Sequence, residues 1–155
     1  MNAAPASSSE AGATPSVAAL VVDDEPANRD FLVRLLEQAR LHVRGAATGA
    51  EALAIAADME DIRLIVIDNR LPDMDGVELL RRLRARYPQA VIVMATMLDE
   101  RPIMTQAFES GCNVFLVKPH GFMELFERLK QIDVLSPGTL SGLVIDQYGP
   151  RPYRG

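Results

Sequence analysis

Leu64-Ile65-Val66-Ile67-Asp68 decides the fold: four bulky apolar residues in a row, closed by a carboxylate. A run without polar alternation suits a strand buried on both faces, as in a parallel sheet. Working outward, residues 18–22, 90–95 and 114–117 repeat the pattern, and 41–44 is a weaker copy. Helix signals fill the intervals. Pro26 suits the first turn of a helix that carries Phe31, Leu32, Leu35 and Leu36. Thr48-Gly49-Ala50-Glu51 is a capping box. Val77, Leu80 and Leu83 recur at helical spacing until Pro88, Pro102 opens a fourth helix that Gly111 stops, and residues 122–131 make a fifth. Each interval has room for the crossover helix that parallel pairing requires. Five strand-then-helix repeats predict a doubly wound open α/β sheet.

The flanks read differently. Residues 1–16, mostly Ala, Ser and Pro with Glu10 the lone charge, are expected to be a flexible leader. Residues 17–133 form the domain. Residues 134–155, opened by Ser136-Pro137-Gly138 and holding one short apolar piece at Leu143-Val144-Ile145, are expected to be a C-terminal tail. In a chain of 155 residues this leaves one domain. A single cysteine excludes a disulfide framework and a multi-cysteine metal site. The net charge of −5 disfavours a broad nucleic-acid footprint. The apolar runs are far shorter than the ~20 residues that span a bilayer. No Lys or Arg precedes Arg29, so a secretory signal lacks its basic region and a cytoplasmic location is expected.

Chemistry concentrates at the ends of the runs. Val22 is followed by Asp23-Asp24-Glu25, Ile67 by Asp68, Ala95 by Thr96 and Val117 by Lys118-Pro119. In an open parallel sheet these positions share the carboxyl edge, where ligands bind. Two carboxylates held ~5 Å apart there repel by roughly 3 kcal/mol at an effective dielectric of 20. Raised carboxylate pKa values or a hard divalent cation would relieve that repulsion, and oxygen donors without His or Cys favour magnesium or manganese. A carboxylate beside a cation, a Lys and a Thr can accept a phosphoryl group.

The segments Val21-Val22-Asp23-Asp24-Glu25-Pro26, Ile67-Asp68-Asn69-Arg70-Leu71-Pro72-Asp73-Met74-Asp75-Gly76, the run ending in Thr96, and Phe115-Leu116-Val117-Lys118-Pro119 resemble the receiver domain of two-component response regulators. The resemblance implies a flavodoxin-like five-stranded parallel sheet, order 2-1-3-4-5, with five helices. It implies that Asp68 accepts phosphate from a sensor histidine kinase or phosphotransfer protein. It implies that Asp23, Asp24, Asp68 and the backbone carbonyl of Arg70 hold Mg2+ (or Mn2+), and that Thr96 and Lys118 contact the phosphoryl oxygens. Thr96 and Phe115 would be the switch pair, repacking the surface of the fourth helix, fifth strand and fifth helix that an unknown protein target reads. Phe115 would be partly exposed in the inactive state. The Lys118-Pro119 bond is often cis in this family. Three residues depart from the usual pattern. Arg70, two after the acceptor, and Met97, where a small residue is usual, are expected to tune phosphate lifetime, and His120 replaces a common Phe.

Other readings compete. An aspartate-nucleophile phosphatase needs a second Asp two residues after the nucleophile as general acid, and Arg70 stands there. A flavin binder would cradle phosphate with a Ser/Thr/Gly-rich first loop, and Asp23-Asp24-Glu25 would repel it. The alternative retained is a receiver-like scaffold or dimerisation module acting without phosphorylation. Asp75 is expected to cap the third helix, Cys112 to be a small core filler, and Arg81, Arg82, Arg84 and Arg86 to form a solvated face. About two dozen residues follow Gln131, too few for a DNA-binding effector, so a stand-alone regulator signalling through protein contacts is expected, with room for a homodimer and no membrane insertion.

Overall fold

The structure, a computed structural model, describes residues 17–59, 61–97, 101–118, 121–131, 142–146 and 149–154. The leader at 1–16, the Lys118-Pro119 isomer, His120 and residues 132–141 lie outside the described residues. Strands and helices alternate as β1 (Val17–Val22), α1 (Pro26–Gln38), β2 (Leu41–Ala46), α2 (Gly49–Asp58) and β3 (Ile62–Asp68). They continue as α3 (Gly76–Arg86), β4 (Val91–Thr96), α4 (Arg101–Glu109), β5 (Val114–Val117) and α5 (Gly121–Gln131). These five strands are parallel and lie in the expected order, β2-β1-β3-β4-β5.

The sheet does not stop there. β6 (Leu143–Asp146) pairs parallel to β5, and β7 (Gly149–Pro152) turns back antiparallel against β6, making seven strands among the described residues. Leu143–Asp146 and Gly149–Pro152, within the segment expected to be a tail, are therefore part of the sheet. α5 becomes one more crossover helix between parallel neighbours, the connection such pairing demands.

Alternation along each strand builds two cores. Leu20, Val22, Ile65 and Ile67 face α2, α3 and α4, where Ile55, Leu80, Leu83 and Met104 meet them. Ala19, Val21, Leu64 and Val66 face α1 and α5, against Leu32, Leu36, Leu125 and Phe126. β1 and β3, whose helices leave to opposite faces, are adjacent at the centre. That is the point where a crevice opens above an open sheet.

Caps set the helix starts. Glu25 accepts from the N–H groups of Ala27 and Asn28, with Pro26 in the first turn. Thr48 accepts from Glu51 N–H at 3.0 Å, as the capping box predicts, while Glu51 reaches back one residue further than the N-cap and accepts from Ala47 N–H at 2.7 Å.

The arginine cluster divides. Arg81 and Arg82 are exposed and pair with Glu78. Arg84 is half-buried and is not part of a solvated face. Its guanidinium donates to the carbonyls of Ala90 at 2.7 Å and Gly111 at 2.7 Å, and to Asn113 Oδ1 at 2.6 Å. It ties the end of α3 to the start of β4 and the α4–β5 turn. Arg86 lies over the Tyr87 ring, 5.3 Å from its centroid.

Candidate functional site

The ends of β1, β3, β4 and β5 place the chemical groups. Asp23 and Asp24 follow β1, Asp68 closes β3, Thr96 closes β4 and Lys118 follows β5. Backbone bonds stitch this rim together: Asp23 N–H donates to Ala46 O at 3.0 Å, Asn69 N–H to Ala95 O at 3.3 Å, and Lys118 N–H to Thr96 O at 2.7 Å. The sequence brings these groups to one edge because a β-strand followed by a helix must turn there.

Oxygen atoms of Asp23, Asp24 and Asp68 all lie within 4.8 Å of one another. Asp23 is buried, Asp68 half-buried and Asp24 exposed, so the cluster opens to solvent on one side. Lys118 is buried, with Nζ 3.1 Å from Asp23 Oδ2 and 3.6 Å from Asp68 Oδ1. Three carboxylates against one ammonium leave a local deficit of two positive charges. Burial pushes the Asp68 carboxyl above its ordinary value; Lys118 opposes that shift, Asp23 reinforces it, the Arg70 backbone N–H lowers it, and Asp24 raises it further. A hard divalent cation fits this donor set, since every ligand atom is a carboxylate oxygen and the missing charge is two.

Beside the cluster, Asp68, Arg70, Thr96 and Met97 line a recess of about 140 Å3. Thr96 is buried in its wall, whereas Met97 stands 68% exposed at its mouth. Arg70 is exposed as well. A larger recess of about 310 Å3 lies between Asp61–Arg63 and Arg86–Ala90, near the opposite ends of β3 and β4, and holds none of these groups.

The loop after Asp68 is closed by a contact that admits only glycine. A Cβ at Gly76 would sit 2.5 Å from the Asp68 carbonyl oxygen and 2.7 Å from Asn69 Cα. Gly76 N–H donates to Asn69 O at 2.8 Å, pinning α3 under the acceptor. Asp75 occupies the N-cap position of α3 but makes no side-chain capping bond. The carboxylate that does cap is Asp73, and it caps a different helix. It accepts from Gly49 N–H at 2.9 Å and Ala50 N–H at 2.8 Å at the start of α2. Those two bonds hold its carboxyl below the usual range. Sequence alone carried no signal of a cap made across a sheet edge.

Phe115 is wholly buried rather than partly exposed, tilted against Phe108 of α4 with centroids 6.5 Å apart. Cys112 is buried, and burial pushes its thiol up to about 12, consistent with a filler role.

Residues 19–130 match the family model of the response regulator receiver domain. The chain belongs to that family. The receiver is 34% identical over 113 residues to the transcriptional regulatory protein SrrA of Staphylococcus aureus, a match covering 73% of this chain and 46% of SrrA. This chain thus spans about half the length of the curated relatives it matches. Among solved structures, it is similar to a CheY-like receiver domain protein from Methanospirillum hungatei, with a TM-score of 0.69, 30% identity, and 76% of this chain and 93% of that one covered. CheY4 of Vibrio cholerae gives 0.68 and 28%, covering 76% and 98%. A Burkholderia pseudomallei response regulator, solved with a phosphorylated aspartic acid and a calcium ion, gives 0.68 and 28%, covering 75% and 68%. The flavodoxin-like fold is shared with all three. No helix among the described residues is long and apolar enough to cross a membrane.

Proposed function

We propose that this receiver is a phosphorylation-dependent signalling switch in which Asp68 accepts a phosphoryl group from a sensor histidine kinase or phosphotransfer protein. The observation that carries the reading is the meeting of Asp23, Asp24, Asp68 and Lys118 beside a recess walled by Thr96. A carboxylate oxygen of Asp68 attacks phosphorus, the new O–P bond forms as the N–P bond of phosphohistidine breaks, and the electron pair leaves on the imidazole. Lys118 pairs with a phosphoryl oxygen, and the Thr96 hydroxyl donates to another. Asp23, Asp24, Asp68 and the Arg70 carbonyl would hold magnesium, or manganese, which when bound neutralises charge between phosphoryl oxygens and carboxylates. Water attack on the phosphorus returns the Asp68 carboxylate and inorganic phosphate, so its only turnover is of its own acyl phosphate. Because the donors are charged from ATP, the site of action is the cytoplasm. Output is by contact with a protein target, through Thr96, Phe115 and the face they control.

The complete burial of Phe115 is the one observation that favours a constitutive scaffold, since its switch position is already closed. Incubation with acetyl phosphate and magnesium separates the two readings. The full chain gains one phosphoryl group by intact mass, and Asp68→Asn gains none. A chain that stays unmodified, or one labelled equally in Asp68→Asn, removes the phosphoacceptor reading and leaves the scaffold.

A further inference from the structure

The hairpin β6–β7 is required by neither the site nor the five strand-helix units that build it. It is nevertheless tightly held. Val144 and Ile145 are each wholly buried, on opposite faces of the sheet, the first in the core that holds Phe115 and the second against α5. Leu143 N–H donates to Asn113 O at 3.1 Å, and Tyr153 N–H to Gly142 O at 2.7 Å. Arg151 closes the hairpin on the buried Asp146 at 2.9 Å.

Three aromatic rings then link this hairpin to the switch. Tyr153 stacks on Phe108 of α4 with centroids 4.0 Å apart and planes 19° from parallel, its hydroxyl 3.5 Å from Thr105 Oγ1. Phe108 in turn leans on Phe115. Phe115 is in register with Val144, so the two side chains leave the same face of the sheet about 4.8 Å apart. Were β5 the last strand, that side of Phe115 would be open. Here an outward swing of the ring meets Val144 and disturbs the Phe108–Tyr153 stack.

We propose that the C-terminal hairpin is an intramolecular ligand of the α4–β5 face, which holds Phe115 inward and thereby favours the phosphorylated form of Asp68. The sign rests on the switch reading above, in which an inward Phe115 accompanies phosphorylation. Coupling between two sites is reciprocal. The docked hairpin raises the affinity of the acceptor site for a phosphoryl group, and a group on Asp68 tightens the hairpin. The chain's own tail occupies the part of this face where α4 meets β5, so a protein target reads a surface that includes Tyr153 and β7.

The test uses the full chain, with beryllofluoride and magnesium as the phosphoryl mimic, on the parent, Tyr153→Ala, Tyr153→Phe and Phe108→Leu. Affinity is read by fluorine NMR, and hairpin docking by hydrogen exchange at the Leu143 and Tyr153 amides. The expected result is binding about 5-fold or more weaker in Tyr153→Ala and Phe108→Leu, within the usual range of allosteric coupling. Tyr153→Phe keeps the stack and binds like the parent. Exchange at both amides slows when the parent takes up beryllofluoride. Equal affinity across all four proteins, with exchange indifferent to beryllofluoride, overturns the coupling while leaving the acceptor site intact. Tighter binding in Tyr153→Ala also overturns it, because the hairpin then opposes the modified form. A parent that takes up no beryllofluoride removes the acceptor reading and the coupling together, a pattern distinct from either.

Discussion

Asp68 sits among like charges that the folded chain only partly balances, and that imbalance has a measurable cost. Its carboxyl is raised chiefly by burial, so the folded protein binds that proton more readily than the unfolded chain does. Stability is therefore lost as pH rises from the ordinary carboxylate value through the raised folded one. Asp68→Asn lacks that slope. At neutral pH without divalent cation it should be more stable than the parent by on the order of 1 kcal/mol, a melting-point gain of roughly 2–4 °C for a chain of this size. Magnesium should stabilise the parent more than the variant and narrow the gap, which thermal unfolding with and without EDTA checks. Arg70 and Met97 line the acceptor recess from its exposed side, and we propose that they screen an acyl phosphate from water. Arg70→Ala and Met97→Ala should each shorten the phosphate half-life several-fold in a decay assay, and unchanged or slower decay in both would remove this role.

Among the elements, α3 carries more of the architecture than its periodicity suggests. Its inner face packs through Val77, Leu80 and Leu83, its first residue touches the acceptor loop, and Arg84 near its end reaches carbonyls on two other segments. Hydrogen bonds from a charged donor to partly buried acceptors are the costly kind to break. Arg84→Ala should cost about 2–3 kcal/mol in denaturant unfolding. Arg84→Lys should recover only part, because an ammonium cannot bridge Gly111, Ala90 and Asn113 together. Equal stability of Arg84→Ala and parent would show the clasp to be incidental. The arginine spacing disclosed none of this: residues 81, 82, 84 and 86 read alike as charges on a helix, and only the tertiary position of the Gly111 carbonyl singles out one of them. Asp73 was hidden for the same reason, since its partners at Gly49 and Ala50 belong to a helix more than twenty residues away.

For the molecule as a whole, legibility followed burial. Strands covered on both faces must be continuous apolar runs, so β1, β3, β4 and β5 announced themselves, and the polar residue ending each run marked the rim. The edge strand β2, with exposed His42 and Arg44, gave the weaker signal its position dictates. β6 and β7 were not readable as strands. Leu143-Val144-Ile145 is too short to stand apart from a tail, and Gly149-Pro150-Arg151-Pro152 holds residues that strands ordinarily avoid. Those two prolines make sense at an outer edge, where a missing N–H blunts pairing with another chain.

The order in which the ribosome delivers these pieces gives the hairpin a further significance. Tyr153 follows Phe115 by about 40 residues, so at ~5–20 residues per second roughly 2–8 s separate their synthesis. Until the hairpin docks, β5 is an uncovered, wholly apolar border with open amide and carbonyl groups, the kind of template on which nascent chains stick to one another. Crowded translation of this message would thus put its newborn product at greater hazard than the finished protein ever faces.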